Sequence, residues 1–184
     1  MSKKVCTFFE PTVFTAFMTA LRPFAKNERT NYILVESDGN AIVGYACDSH
    51  RLATQVYSGL ADIDAPFKAY LSPLRINPNR DDGPVSIILD GDYAIVHFNG
   101  VELRTPQPQA PMDFAKARDS LSADAAASIT VNRVYLRDAV QSLYIPGHGQ
   151  DYVRLSIAGP LKPLLLTNGA NERYILPIRD RTNF

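Results

Sequence analysis

A hairpin written twice constrains this chain more than any other feature. Ser37-Asp38-Gly39-Asn40 and Asp90-Gly91-Asp92 each join two short apolar runs, Tyr32–Glu36 to Ala41–Ala46 and Val85–Leu89 to Tyr93–Phe98. Asp-Gly is a strong tight-turn signal between antiparallel strands, because Gly accepts the positive φ such turns require. The two copies read alike beyond the turn, Asp38-Gly39-Asn40-Ala41-Ile42-Val43 against Asp90-Gly91-Asp92-Tyr93-Ala94-Ile95-Val96. Asn99-Gly100 then turns into Val101–Thr105, where Val101 and Leu103 alternate with Glu102 and Arg104, a meander with one wet face.

Helices punctuate the strands. Glu10-Pro11-Thr12 opens one that carries Val13, Phe14, Phe17, Met18, Leu21 and Phe24 at helical spacing and ends near Pro23. Asn132 is placed to cap another, with Val134, Leu136, Val140 and Leu143 on its face. A poorer helix is expected over Leu71–Asn77, with Pro73 and Pro78 near its ends. Pro106–Ala127 reads as a break, with Gln107-Pro108-Gln109-Ala110-Pro111 an extended linker within it. Beyond it come a short strand at Ser128–Val131, a loop at Pro146–Gln150, strands at Val153–Ile157 and Leu164–Leu166, and a closing strand at Tyr174–Ile178. Pro177 places that last strand at an edge or stops its pairing. A strand–helix–meander unit thus recurs about three times, and repeats of this kind share sheets with their neighbours.

Composition narrows the function classes. Nineteen basic residues balance nineteen acidic ones, which argues against a protein coated in base for general nucleic-acid binding. No apolar run approaches membrane-spanning length, and Met-Ser-Lys-Lys has no apolar stretch behind it, so a cytoplasmic chain without a secretory leader is expected. Cys6 and Cys47 stand at no metal or redox spacing and read as small reduced residues. No Gly-rich phosphate-binding motif is present, His97 lies in a strand, and His148 lacks a second ligand, so no cofactor and no metal are expected.

One stretch breaks the strand pattern. Asp48-Ser49-His50-Arg51 inserts four polar residues between Ala41–Ala46 and Ala53–Tyr57. A corner or bulge explains it, and so does a binding rim. A hydrolase using Asp48, Ser49 or His50 is the third reading. It meets the objection that neighbouring strand residues face opposite ways, whereas triad members converge. The residues favour a chain that is not an enzyme.

At these residues the chain resembles the β sliding clamp of bacterial replicative DNA polymerase. Ala46-Cys47-Asp48-Ser49-His50-Arg51-Leu52-Ala53 is similar to that family's Ala-Thr-Asp-x-His-Arg-Leu-Ala run, and Pro111-Met112-Asp113-Phe114 to its Phe-Pro-Asp-Tyr. Asp151–Arg154, Pro160–Pro163 and Tyr174–Arg179 resemble its C-terminal end. The likeness divides the chain into a clamp-like domain at 1–117, similar to the family's middle domain, and a half-domain at 118–184, similar to the second half of its last one. Cys47 departs from the family's Thr, and Ala115-Lys116-Ala117 is less basic than its counterpart.

The resemblance implies an α+β, clamp-like fold of repeated β-α-β-β-β units, with continuous antiparallel sheet and helices on one face. It implies a hydrophobic pocket between the two parts for the short clamp-binding peptides of DNA polymerase, clamp loader or repair proteins. Carried over by motif, that pocket would use Cys47, Ser49, His50, Arg51, Leu52, Lys116, Leu161, Pro163, Tyr174, Leu176, Pro177, Ile178 and Arg179. The alternative is an oligomeric, DNA-encircling processivity clamp that holds double-stranded DNA without sequence preference. Arg22 and Lys26, with Arg133 and Arg137, are then the helix residues facing phosphate. A ring from chains of this length closes only if several copies assemble.

Overall fold

The computed structural model describes residues 2–26, 30–48, 51–73, 78–121, 128–143, 152–168 and 171–178, with side chains at all but 119–121. The chain divides into two compact units, Met1–Leu121 and Ser122–Phe184.

In the first unit, β1 (Lys3–Phe8) leads into α1 (Pro11–Leu21), followed by β2 (Ile33–Ser37), β3 (Ala41–Cys47) and β4 (Leu52–Ser58). The short β5 (Asp62–Ile63) precedes a second run of β6 (Phe67–Leu71), β7 (Val85–Asp90), β8 (Tyr93–Phe98) and β9 (Val101–Pro106), and α2 (Phe114–Leu121) ends the unit. The strands form two antiparallel sheets ordered β5-β1-β7-β8-β9 and β4-β3-β2-β6. Each repeat therefore gives its first strand to the other. β1 pairs with β7, and β6 pairs with β2. The duplicated Asp-Gly turns lie at equivalent places in this exchange, with Gly39 and Gly91 both at positive φ.

Helix α1 is amphipathic as expected, burying Pro11, Phe14, Phe17, Met18 and Leu21. It lies against Gly44 of β3, where an added Cβ would meet the Leu21 and Phe17 side chains inside contact distance. Only Gly lets the helix approach the sheet there. Phe8, Phe14 and Phe17 form an aromatic centre, with ring centroids 5.3 Å and 6.1 Å from Phe8. The opposite face of sheet β4-β3-β2-β6 is covered too, by Phe114, Leu34 and Tyr45 with Tyr32, Tyr70 and Met112 against them. Burial on both faces explains why Ile33-Leu34-Val35 is an unbroken apolar run rather than an alternating one.

The expected continuity between sheets is carried by side chains at one seam. Gln107, just past β9, uses its amide as a backbone unit would. Its Oε1 accepts from the Tyr70 N–H at 2.9 Å, and its Nε2 donates to the Tyr70 carbonyl at 3.0 Å. The Ser72 N–H donates to Thr105 Oγ1 at 3.1 Å, extending the seam between β6 and β9.

The second unit carries α3 (Arg133–Ser142) and the antiparallel sheet β10 (Arg154–Ile157), β11 (Leu164–Asn168), β12 (Asn171–Ile175). The expected cap holds, with Asn132 Oδ1 accepting from the Val134 N–H at 2.8 Å. Leu143, Leu164, Leu166 and Ile175 form its small core.

Several expectations are corrected. The Pro106–Ala127 break holds a helix that was not expected, because Asp113 accepts from the Lys116 N–H at 2.9 Å and starts α2. Leu71 closes β6 instead of opening a helix, while 74–77 lie outside the described residues. Ser128–Val131 is not a strand. Among the described residues it makes one ladder-type bond, from the Ile178 N–H to the Thr130 carbonyl at 2.8 Å. The closing strand is Asn171–Ile175, not Tyr174–Ile178, since Pro177 has no N–H to continue the β11 ladder. Three strands escaped the pattern altogether, β1, the short β5 and β6, the first because Val5–Phe8 are all buried and do not alternate.

Candidate functional site

The polar insert is a corner held by its own arginine. The Arg51 N–H and Asp48 Oδ1 are 2.9 Å apart, and Arg51 Nε donates to Asp48 Oδ2 at 3.0 Å. The Asp48 N–H returns a bond to the Arg51 carbonyl at 3.0 Å. One Arg51 Nη donates to the Pro23 carbonyl at 3.1 Å, and the guanidinium lies 4.9 Å from the centre of the Phe24 ring. The β3–β4 corner is thereby tied to the 3-10 turn that follows α1. Asp48 is a brace here, with its two carboxylate oxygens each bonded to Arg51. Ser49 and His50 lie outside the described residues.

Cys47 and Leu52 face each other across the corner as a β3–β4 pair. Both lie half-buried beside the Leu34, Tyr45 and Phe114 cluster. Burial, reinforced by the Asp48 charge, raises the Cys47 pKa, so the group is a thiol rather than a thiolate at neutral pH. Its Sγ donates to the Asp48 carbonyl at 2.9 Å. The 111–114 stretch is the anchor of this face. The Met112 N–H donates to the Tyr32 hydroxyl at 2.9 Å, and Phe114 stacks on Tyr45 with centroids 5.9 Å apart. Lys116 follows on α2, exposed. The first unit therefore gathers Cys47, Leu52 and the Met112–Lys116 segment at one surface region.

In the second unit, the pairing of Leu164 with Ile175 brings the Leu161–Pro163 turn and Leu176 to the same end of the sheet. Leu161, Tyr174, Leu176 and Ile178 are all exposed, and Pro163 and Pro177 are half-buried. Tyr174 projects from the face opposite the core, beside Leu165. Its hydroxyl donates to Glu172 at 2.7 Å, and that bond, with the carboxylate charge, raises its pKa. Arg179 lies outside the described residues.

The four cationic residues divide differently from expectation. Arg22 lies in the 3-10 turn and Lys26 beyond it, so neither is on α1, whose eleven residues include no charged one. Arg133 and Arg137 are on α3, exposed and one turn apart, with Arg137 donating to Asp138 at 2.9 Å and 2.8 Å. Two shallow hollows of the first unit use other residues, one lined by Glu36, Asp38, Phe67 and Lys68, the other by Phe9, Val13 and Leu60. Among the described residues, no group of three or more His, Cys, Asp or Glu is arranged to hold a metal ion. No described helix is long and apolar enough to cross a membrane.

No protein-family model matches the sequence, and comparison with curated proteins finds no relative. Solved structures do match the fold. The DNA polymerase III beta chain of Streptococcus pneumoniae superposes with a TM-score of 0.76 over 97% of this chain and 50% of its own, at 13% identity. The beta subunit of Thermotoga maritima gives 0.71 over 98% and 51%, at 15% identity. A sliding clamp of Pseudomonas aeruginosa bound to griselimycin gives 0.69 over 97% and 51%, at 14% identity. The chain has the α+β fold of DNA polymerase III beta sliding clamps and spans about half the length of these structures.

Proposed function

We propose that this clamp-fold chain binds short peptides with Leu or Phe anchors, of the kind carried by DNA polymerase, clamp loader or repair proteins. The observation that carries the reading is the exposed apolar run of the second unit. Leu176 is 75% exposed, Leu161 74% and Tyr174 61%, at or beside one end of one small sheet. Apolar side chains left in water in such a group mark a surface that something covers. Pro163 and Pro177 stiffen the backbone around them, which lowers the ordering cost of binding. Cys47, Leu52 and Lys116 of the first unit, with Ser49, His50, Arg51 and Arg179, complete the residue set that the resemblance assigns. Arg51 contributes by holding the corner in shape rather than by offering its guanidinium to a peptide.

Calorimetry with a Gln/Leu/Phe clamp-binding peptide tests this. Wild type is expected to bind, and Leu176→Glu, a change at an exposed position, to weaken binding at least tenfold. Absence of heat with wild type, or equal affinity in the variant, overturns the reading.

A DNA-encircling processivity clamp is the second reading, favoured by the clamp fold and by Arg133 and Arg137 on one exposed face of α3. It requires salt-dependent retention on circular DNA that falls when both arginines become Ala. Salt-independent behaviour or no retention removes it.

A further inference from the structure

The second unit is half of a pattern that the first unit completes. In the first unit the leading strand of one repeat lies between the tail of its own repeat and the post-helix strand of the other, in the order β5-β1-β7. Ser128–Val131 has the first of these neighbours. Its Thr130 carbonyl accepts from the Ile178 N–H at 2.8 Å, as the Val5 carbonyl accepts from the Asp64 N–H at 3.0 Å. The second neighbour has no counterpart among the described residues, and β10 pairs with β11 alone.

The core is cut open at that edge. Leu155 and Ile157 pair with Leu166 and Leu164, which are 0% and 3% exposed, so they point to the core side of the sheet. They are nevertheless 55% and 45% exposed. Their equivalents in the first unit, Ile33 and Val35 of β2 and Val85 and Ile87 of β7, are all at 0%. Helix α3 repeats the contrast, burying no residue where α1 buries five.

We propose that a second copy of this chain completes the unit. The two copies would be related by a two-fold axis, each laying Ser128–Val131 along the free edge of the other's β10. This is the same strand exchange that joins the repeats of the first unit, and a strand exchange of this kind is self-complementary, as a two-fold interface must be. A bare edge strand with apolar side chains is a template for this pairing. Leu155, Ile157, Tyr135 and Val140 together leave on the order of 400 Å² of surface in water, about half of the ~800 Å² each partner gives to a standard interface.

Light scattering on the intact chain tests the proposal. The expected mass is twice 20.4 kDa at micromolar concentration, reverting to 20.4 kDa in Leu155→Glu and in Ile157→Glu. Far-UV circular dichroism establishes that the variants are folded. Hydrogen exchange gives a second readout on wild type, where amides of Ser128–Val131 and β10 should gain protection as concentration rises. A mass of 20.4 kDa at every concentration overturns the proposal. So does a dimer that survives both substitutions, or exchange at these amides that does not depend on concentration. Peptide calorimetry on the same variants is an independent reading, so failure here leaves the peptide site standing or falling separately.

Discussion

Replacing Gln107 is the sharpest probe of how the first unit holds together. The side-chain amide makes three bonds, to the Tyr70 N–H, the Tyr70 carbonyl and the Thr105 carbonyl, at 2.9 Å, 3.0 Å and 3.2 Å. Gln107→Leu removes all of them and leaves a part-buried N–H and C=O of β6 without that partner. A net bond contributes about 0.5–1.5 kcal/mol, and an orphaned buried group costs about 1–3 kcal/mol, so a loss of roughly 2–3 kcal/mol is expected. The chain has no Trp, so urea unfolding is followed by circular dichroism, and only the transition of the first unit should move. Gln107→Glu separates bonding from packing. It keeps the acceptor for Tyr70 but turns a carboxylate toward two carbonyls, which raises the new group's folded pKa above its unfolded one. That variant should therefore be closest to wild type at low pH and lose stability as pH rises through the carboxylate range. A loss under about 0.5 kcal/mol for Gln107→Leu, against the 2–3 kcal/mol worked above, refutes the seam as the energetic link between the sheets.

Gly44→Ala should cost about 1–3 kcal/mol in the same unfolding assay, because Phe17 and Leu21 are too well buried to yield to a new Cβ. Burial, with the Asp64 and Asp62 charges adding to it, pushes the Cys6 thiol from 9.0 up to about 12. The unfolded thiol therefore ionises first, so stability present below pH 9.0 should fall by about 1.4 kcal/mol per pH unit toward pH 12, and a Cys6→Ala chain should lack that component when urea midpoints are compared at pH 8, 9.5 and 10.5. Arg51→Ala should lower stability by under about 1 kcal/mol, because the side chain is half in water, with the deficit shrinking in high salt as measured by urea unfolding.

Local chemistry was legible wherever the deciding partner is close in sequence. The Asp-Gly turns, the Pro11 start of α1, the Asn132 cap and the stop at Pro177 all depend on residues within a few positions. The misses have the opposite cause. β1 is buried by β7 some eighty residues away, so its own letters carry no period. α2 begins because Asp113 caps it and Phe114 plugs the Tyr32, Tyr45 and Tyr70 surface, and the preceding prolines masked that signal. Arg51 read as a donor for a ligand, because nothing in sequence announces that Pro23 and Phe24 sit beneath it. Arg22 and Lys26 read as helix residues, but α1 ends at Leu21, one residue before Arg22 and five before Lys26.

The proposed surfaces of the second unit do not compete. Leu155 and Ile157 lie on β10, whose free edge the second copy would take, while Tyr174 lies on β12, two strands away in the order β10-β11-β12. At about 4.8 Å per strand that is roughly 10 Å across the sheet, and Tyr174 points from the face opposite the core. Leu176 and Ile178 lie on the tail side of Ser128–Val131, where the Ile178 N–H already bonds Thr130, and not on the side that would meet β10 of the other copy. Dimerisation therefore leaves one peptide surface per chain, so calorimetry should return the same stoichiometry for wild type and for monomeric Leu155→Glu. Phosphate binding separates from both. The exposed residues of α1, Thr12, Ala16, Thr19 and Ala20, are neutral, so any salt-dependent hold on DNA through these two helices rests on Arg133 and Arg137 alone. A stoichiometry that doubles on breaking the dimer would mean that the two surfaces overlap, and the strand-exchange geometry would be wrong.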